Sequence, residues 1–583
     1  MPSYAQYTFS FVMLIWATSI AAQQVTDSVA PEQSTGIQHK AIVTAKEWMV
    51  TAANPLATQA GADVLTKGGN AIDAMVATQL MLGLVEPQSS GIGGGAFLLY
   101  WDAKTKQLTS FDGRETAPIQ ANEKLFLNRD GEPMSFYDAV VGGRSVATPG
   151  TVMLLWQVHK KYGKLAWETL FASTIETAQN GFAVSPRLAA LIKHDRQRLS
   201  RYPATKQYFF DDLGQPKLAG SLLKNPAYAK TLQAIANNGA RAFYNGDIAR
   251  NIVGVVQKAK GNPGTLSVTD LERYQIKQRS PICLAYASYQ VCGMGPPSSG
   301  ALTLGQILSI SNQFDLKSWG PDDPRSWQVI ADASRLAFAD RGLYMADEDF
   351  ITMPTQGLLD PHYLRQRAKL ITPKHALKTA LPGQPPWKNS QKLSQDESIE
   401  LPSTTHFNIV DKQGNVVSMT STIENAFGSR LMVDGFLLNN ELTDFSFRSQ
   451  RDGKPIANRL QAGKRPRSSM TPTIILKNGT PYLAIGSPGG SRIIGYVAQA
   501  IIAHLQWGMD IQNAINLPHI LSRFNKVEIE AGTSAERFTQ PLEKMGYTVD
   551  VTTLNSGLHG ILIKKGQLYG VADPRREGAA IGH

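Results

Sequence analysis

The chain has 583 residues, 42% of them hydrophobic and 18% charged, a core-forming composition that excludes an intrinsically disordered protein. Fifty glycines and 32 prolines are ordinary for this length and exclude collagen-like and low-complexity classes. Two cysteines cannot build a disulfide scaffold or a four-thiolate zinc site, and a net charge of +11 without a long basic run offers no nucleic-acid groove.

In chain order, the first element is the apolar run Phe9 to Ala22, which ends in small residues. It reads as a secretory signal peptide, with an uncleaved anchor or a buried helix as alternatives. No Lys or Arg precedes it. The expected compartment is therefore periplasmic or extracellular. Residues 23 to 46 are polar and irregular. Asn54 and Pro55 open a helix that Gly68-Gly69 close, and Asn70 caps a second helix that is apolar on most sides and belongs in the core. The run Gly91-Ile92-Gly93-Gly94-Gly95-Ala96 nominally matches a dinucleotide fingerprint. That fingerprint needs a strand before it and a helix after it. Here the order is reversed, so a nucleotide site is rejected, and no cofactor is expected.

Residues 150 to 350 are mainly helical by periodicity. Cys283 and Cys292 flank a centre at Ala287-Ser288, so a hairpin would set the sulfurs opposite each other as a disulfide; two buried thiols are the alternative. Thr372 to Glu400 is polar and rich in Lys, Pro and Gln, and reads as an exposed linker. From Thr404 onwards strands dominate. Two of them flank the turn at Lys477-Asn478-Gly479-Thr480, and a helix is expected over Ser491 to Gln506.

Several of these residues could carry chemistry. A break between Ser403 and Thr404 would leave threonine leading a chain, with hydroxyl nucleophile and α-amine base in one residue. Gly489 and Gly490, between a strand and a helix, could stabilise an oxyanion with their amides, or form a tight turn. Arg114, after a strand, could clamp a carboxylate or lie solvated at the surface. Glu441 and Asp444 could hold an ammonium group, and Ser468 and Ser469 could donate to a carboxylate. His406 reads as a structural histidine. The ten histidines show no metal-ligand spacing, so no metal is expected.

The segments TTHFNIVDKQGNVVSMTSTIENAFGS, FLLNNELTDFS, KRPRSSMTPTI and GSPGGSRII, in that order, resemble the γ-glutamyltransferase (glutathione hydrolase) family of N-terminal-nucleophile hydrolases. The upstream segments MVTAANPLATQAGADVL, GGNAIDAMVATQ, GIGGGAFLL, FDGRETAP and GMGPPSSGALTLGQIL are similar to the same family, so the likeness runs from about Trp48 to the C-terminus. It implies an α+β fold, an αββα four-layer sandwich formed jointly by a large subunit (23–403) and a small subunit (404–583). These would be one precursor cut by itself behind a signal peptide (1–22). By the same resemblance Thr404 is the nucleophile and Thr422 the hydroxyl that supports it, with Gly489 and Gly490 as the oxyanion hole. Arg114, Ser468 and Ser469 would grip the substrate α-carboxylate, and Glu441 and Asp444 the α-amino group. The implied partners are glutathione and other γ-glutamyl compounds, with acceptor amino acids or dipeptides. Two departures stand out. Glu424 replaces the asparagine that many members place beside the substrate amine, and the stretch between Asp444 and Ser468 is shorter than in bacterial members with a long lid. Two alternatives stay open, a glutaryl (cephalosporin) acylase of the same architecture and an exported relative without catalysis.

Overall fold

A computed structural model describes residues 36–388, 391–396, 398, 401 and 403–583. The expected signal segment lies outside the described residues. Two seven-stranded sheets form the centre. One runs in the order Val43–Ala45, Gln567–Ala572, His559–Lys564, Thr480–Gly486, Thr473–Lys477, Tyr289–Gly293, Ile282–Tyr286. The other runs Ala579–Gly582, Met49–Ala52, Thr405–Val410, Val416–Thr422, Gly95–Asp102, Gln107–Gly113, Lys277–Arg279. Neighbours in both sheets are antiparallel.

The layering follows from strand alternation, which sends successive side chains to opposite faces. Leu99, Trp101, Val410 and Val416 of the second sheet meet Ile474, Leu476, Ala484 and Ile561 of the first in one apolar layer between them. The intervening residues Leu98, Tyr100, Ile409 and Val417 face outwards onto the helices Pro55–Thr66 and Ala71–Val85. On the far side, Ile475, Leu483 and Ile485 pack on the helices Gly300–Ser311, Pro324–Tyr344 and Ile493–Leu505. The product is helix, sheet, sheet, helix, as the resemblance implied. Both sheets interleave strands from before and after position 404, so neither part of the chain can complete a sheet alone.

The local punctuation is as the sequence predicts. The Asn54 side chain accepts from the Leu56 N–H, and Asn70 closes a capping box with Asp73. Cys283 pairs with Cys292 across the hairpin and the two form a disulfide. Asn478 and Gly479 both take positive φ in the two-residue turn. Two expectations need correction. The helix expected from Ser491 begins as a 3-10 turn at Gly490–Arg492, and its α-helical part is Ile493–Leu505. The described part of Thr372 to Glu400 has no helix or strand, yet it is not a free linker. The Leu377 and Gly383 N–H groups donate to the buried carboxylates of Asp332 and Asp340, and the Trp387 ring packs against Tyr344. The segment is exposed or half-exposed at most described positions, as its polar composition signals, and the buried acceptors on the neighbouring helix tether it.

Candidate active site

Thr404 stands at the entrance to a central strand. The antiparallel register, Thr405 opposite Ser421 and Val410 opposite Val416, carries position 404 to face Thr422. Their hydroxyl oxygens are 3.3 Å apart. The Ser403 carbonyl accepts from the Thr404 hydroxyl at close range and from the Thr422 hydroxyl at 3.4 Å. The Glu424 N–H donates to the Thr422 oxygen at 2.9 Å, which leaves the Thr422 proton available for that carbonyl. The Ser403 hydroxyl donates to the Gln88 carbonyl at 2.7 Å. In this uncut chain, two hydroxyls converge on the peptide carbonyl that precedes Thr404.

The glycine run that mimicked a nucleotide fingerprint lies directly behind. A Cβ on Gly94 would sit 2.0 Å from the Thr422 carbonyl oxygen, so only glycine lets the two backbones approach. Across the cavity, Gly489 and Gly490 adopt φ of +132° and +57° at the start of the turn into helix Ile493–Leu505.

One cavity has Arg114, Leu401, Ser403, Thr404, Thr422, Glu424, Glu441, Asp444, Ser468, Ser469 and Gly490 in its wall. Of the residues that the resemblance assigns to cleavage, catalysis or substrate binding, all reach this wall except Gly489, which immediately precedes Gly490. Arg114 is fully buried rather than solvated. Its guanidinium donates to Glu441, to Asp444 at 2.5 Å, and to the Pro466 and Arg467 carbonyls at 3.2 and 3.0 Å. Glu115, unremarked in the sequence, adds another buried carboxylate 3.7 Å from the same guanidinium. Only its adjacency to Arg114 could have signalled it.

Carboxylates thus outnumber the cation they surround. Burial pushes Glu441 well above the usual carboxylate range; Arg114 opposes the shift, and Glu115 and Glu424 reinforce it. Burial likewise raises Glu115 to about 7 against the pull of Arg114. Glu424 is raised to about 7 by burial, although the Asn440 amide and the Leu401 N–H donate to it. Such a wall favours a cationic ligand group.

His406 is excluded as a general base. Its Nδ1 pairs with Thr420 Oγ1 at 2.8 Å and its Nε2 with Asn408 Oδ1 at 3.1 Å, and burial lowers it to about 3. Between Asp444 and Ser468 the chain makes a small hairpin, Gln450–Arg451 with Lys454–Pro455. It returns over the buried Lys464, whose ammonium donates to the Ala457 and Arg459 carbonyls. Among the described residues no three His, Cys, Asp or Glu are grouped to hold a metal.

The gamma-glutamyltranspeptidase family model matches residues 57–583. This chain belongs to the gamma-glutamyltranspeptidase family. It is 39% identical to a glutathione hydrolase proenzyme of Bacillus subtilis (strain 168), over 94% of this chain and 93% of that protein. Among solved structures, the cephalosporin acylase from Bacillus halodurans superposes with a TM-score of 0.82 at 26% identity, covering 95% of this chain and 99% of that one. The Helicobacter pylori gamma-glutamyltranspeptidase gives 0.56 at 33% identity, covering 61% of this chain and all of that one. Membership of the family accounts for the four-layer fold.

Proposed function

We propose that the chain is a self-processing γ-glutamyltransferase and glutathione hydrolase. The observation that carries this reading is the convergence of the Thr404 and Thr422 hydroxyls on the Ser403 carbonyl, beside a wall of carboxylates. In maturation, Thr404 Oγ1 attacks the Ser403 carbonyl carbon and the acyl group moves from nitrogen to oxygen. Water then hydrolyses the ester and leaves Thr404 with a free α-amine. That amine, with an intrinsic pKa of about 7.7–8.0, is the base for its own hydroxyl. This role falls to it because the nearby imidazole of His406 is held neutral by burial, with both ring nitrogens already paired.

In turnover, Thr404 attacks the γ-amide carbonyl of glutathione. The Gly489 and Gly490 amides receive the developing oxyanion, an interaction worth roughly 3 kcal/mol per donor in comparable sites. Cysteinylglycine leaves with the proton. The γ-glutamyl ester then passes to water or to the amine of an acceptor amino acid or dipeptide. Glu441, Asp444 and Glu424 hold the substrate ammonium, and Arg114, Ser468 and Ser469 its carboxylate. The cut yields a large piece ending at Ser403 and a small piece of ~20 kDa, exported through the N-terminal signal segment.

The test is release of chromophore from a γ-glutamyl anilide by the cut enzyme. Thr404-dependent release is expected, and its absence from a correctly cut protein would defeat the reading. The cephalosporin acylase likeness motivates a second reading as a glutaryl acylase. A strong preference for glutaryl over γ-glutamyl amides would favour that branch.

A further inference from the structure

The serine wall of the cavity is held from behind by a side chain more than a hundred positions upstream. Arg341, buried in the last turn of helix Pro324–Tyr344, sends Nε to Ser299 Oγ and Nη2 to Ser469 Oγ, both at 2.8 Å. Ser299 in turn donates through its hydroxyl and its N–H to the Ser468 carbonyl, each at 2.8 Å. The Ser468 hydroxyl accepts from the Met470 N–H at 3.1 Å.

A serine hydroxyl carries one proton and two acceptor sites, and a guanidinium only donates. Arg341 therefore occupies an acceptor site of Ser469 and leaves its proton for a partner on the cavity side. The Met470 N–H does the same for Ser468. Two hydroxyls in the wall of one cavity, each with a proton left to donate and with a buried guanidinium behind them, suit an anion. Arg114 donates to Glu441, Asp444 and two carbonyls, whereas Arg341 is the guanidinium bonded directly to Ser469.

We propose that Arg341 is a positioning residue that aims the Ser469 proton at the substrate α-carboxylate and sets selectivity for substrates bearing that group. The inference rests on the functional reading above. It also gives the interaction a second consequence, because Arg341 precedes the proposed cut and Ser469 follows it, so the bond would join the two pieces.

The test uses mature enzyme and two anilides, γ-glutamyl-p-nitroanilide and 4-aminobutanoyl-p-nitroanilide, which keeps the amine and lacks the carboxylate. Arg341→Gln is expected to raise KM for the first by roughly 10- to 100-fold with kcat within about threefold, and to leave kcat/KM for the second within about threefold. Arg341→Lys should recover part of the lost affinity. In a Ser469→Ala background, Arg341→Gln should add less than about threefold, since both changes break one interaction. Equal losses on both anilides, or effects that multiply in the double variant, would overturn the proposal. Should Arg341→Gln not accumulate as cut enzyme, Ser469→Ala alone must lower the preference for the carboxylated anilide; an unchanged preference would equally overturn it. A wild-type enzyme that cleaves Thr404-dependently but treats both anilides alike would defeat the carboxylate reading itself, a different failure from one confined to the variants.

Discussion

Two buried ion clusters in this molecule have opposite stoichiometry. Around Arg114, one guanidinium meets Glu115, Glu441 and Asp444, with Glu424 near by, and burial prevails over the single cation for Glu115, Glu424 and Glu441. Around Glu528, one carboxylate meets Arg492 at 2.5 Å and Arg523 at 3.0 Å. Burial alone would raise Glu528, but Arg523 and Arg492 outweigh it and lower it to about 2. The second cluster is electrostatically satisfied by the protein and braces the helix that follows the glycine pair, since Arg523 also donates to Ser491 Oγ at 2.6 Å. The first holds more negative groups than its own cation can balance. The contrast separates a cluster whose charges pair within the protein from one that, on the proposed function, would take an incoming ammonium group.

Removing a carboxylate should therefore cost binding in one cluster and folding in the other. Asp444→Asn is expected to lower kcat/KM for a γ-glutamyl anilide by roughly 100- to 1,000-fold, as for a truncated buried charge pair, and to affect a glutaryl anilide far less. Equal losses on both substrates would break the comparison. Glu528→Gln leaves two guanidiniums short of their shared partner and should destabilise by about 3 kcal/mol in denaturant titration. A change within ~0.5 kcal/mol, the range of an ordinary surface substitution, would show that the cluster is not structural. Glu424→Gln keeps the shape and removes one charge near the ammonium position, and a loss of roughly tenfold in kcat/KM is expected.

The pH dependence has opposite signs in the two clusters. Glu115 and Glu424 are raised in the folded chain, so their contribution to stability is complete below about 4.5 and is lost as pH rises through about 7. Glu528 is lowered, so its contribution is present above about 4.5 and is lost as pH falls towards 2. Melting of uncut Thr404→Ala protein should show both limbs. Glu424→Gln should flatten the neutral limb alone, and Glu528→Gln the acid limb alone. If either substitution flattened both limbs, the clusters would not be independent.

Much of the site was legible because its signals are local. A threonine opening a strand, glycines between strand and helix, and Asn caps before apolar runs each declare themselves within a few residues. The cysteine pair was equally readable, since a short hairpin fixes its own register. What escaped depends on contacts made at long range. Arg114 read as a surface residue or a clamp, because no local pattern tells that Glu441 and Asp444 fold over it. Arg341 carried no signal at all, since it lies on a helix buried on nearly every side and only the fold brings Ser469 to it. The element order already excluded a phosphate role for the glycine run, and Gly93 and Gly94 serve close backbone packing against Leu437 and Thr422.

The central claim is that Thr404 becomes the first residue of a separate polypeptide and acts from there. Its most direct test is N-terminal sequencing and intact mass measurement of catalytically active protein beside the Thr404→Ala variant. The account predicts a ~20 kDa polypeptide beginning at Thr404 in the active sample and a single uncut, inactive chain in the variant. Active enzyme with no polypeptide starting at Thr404, or an active Thr404→Ala variant, would contradict it.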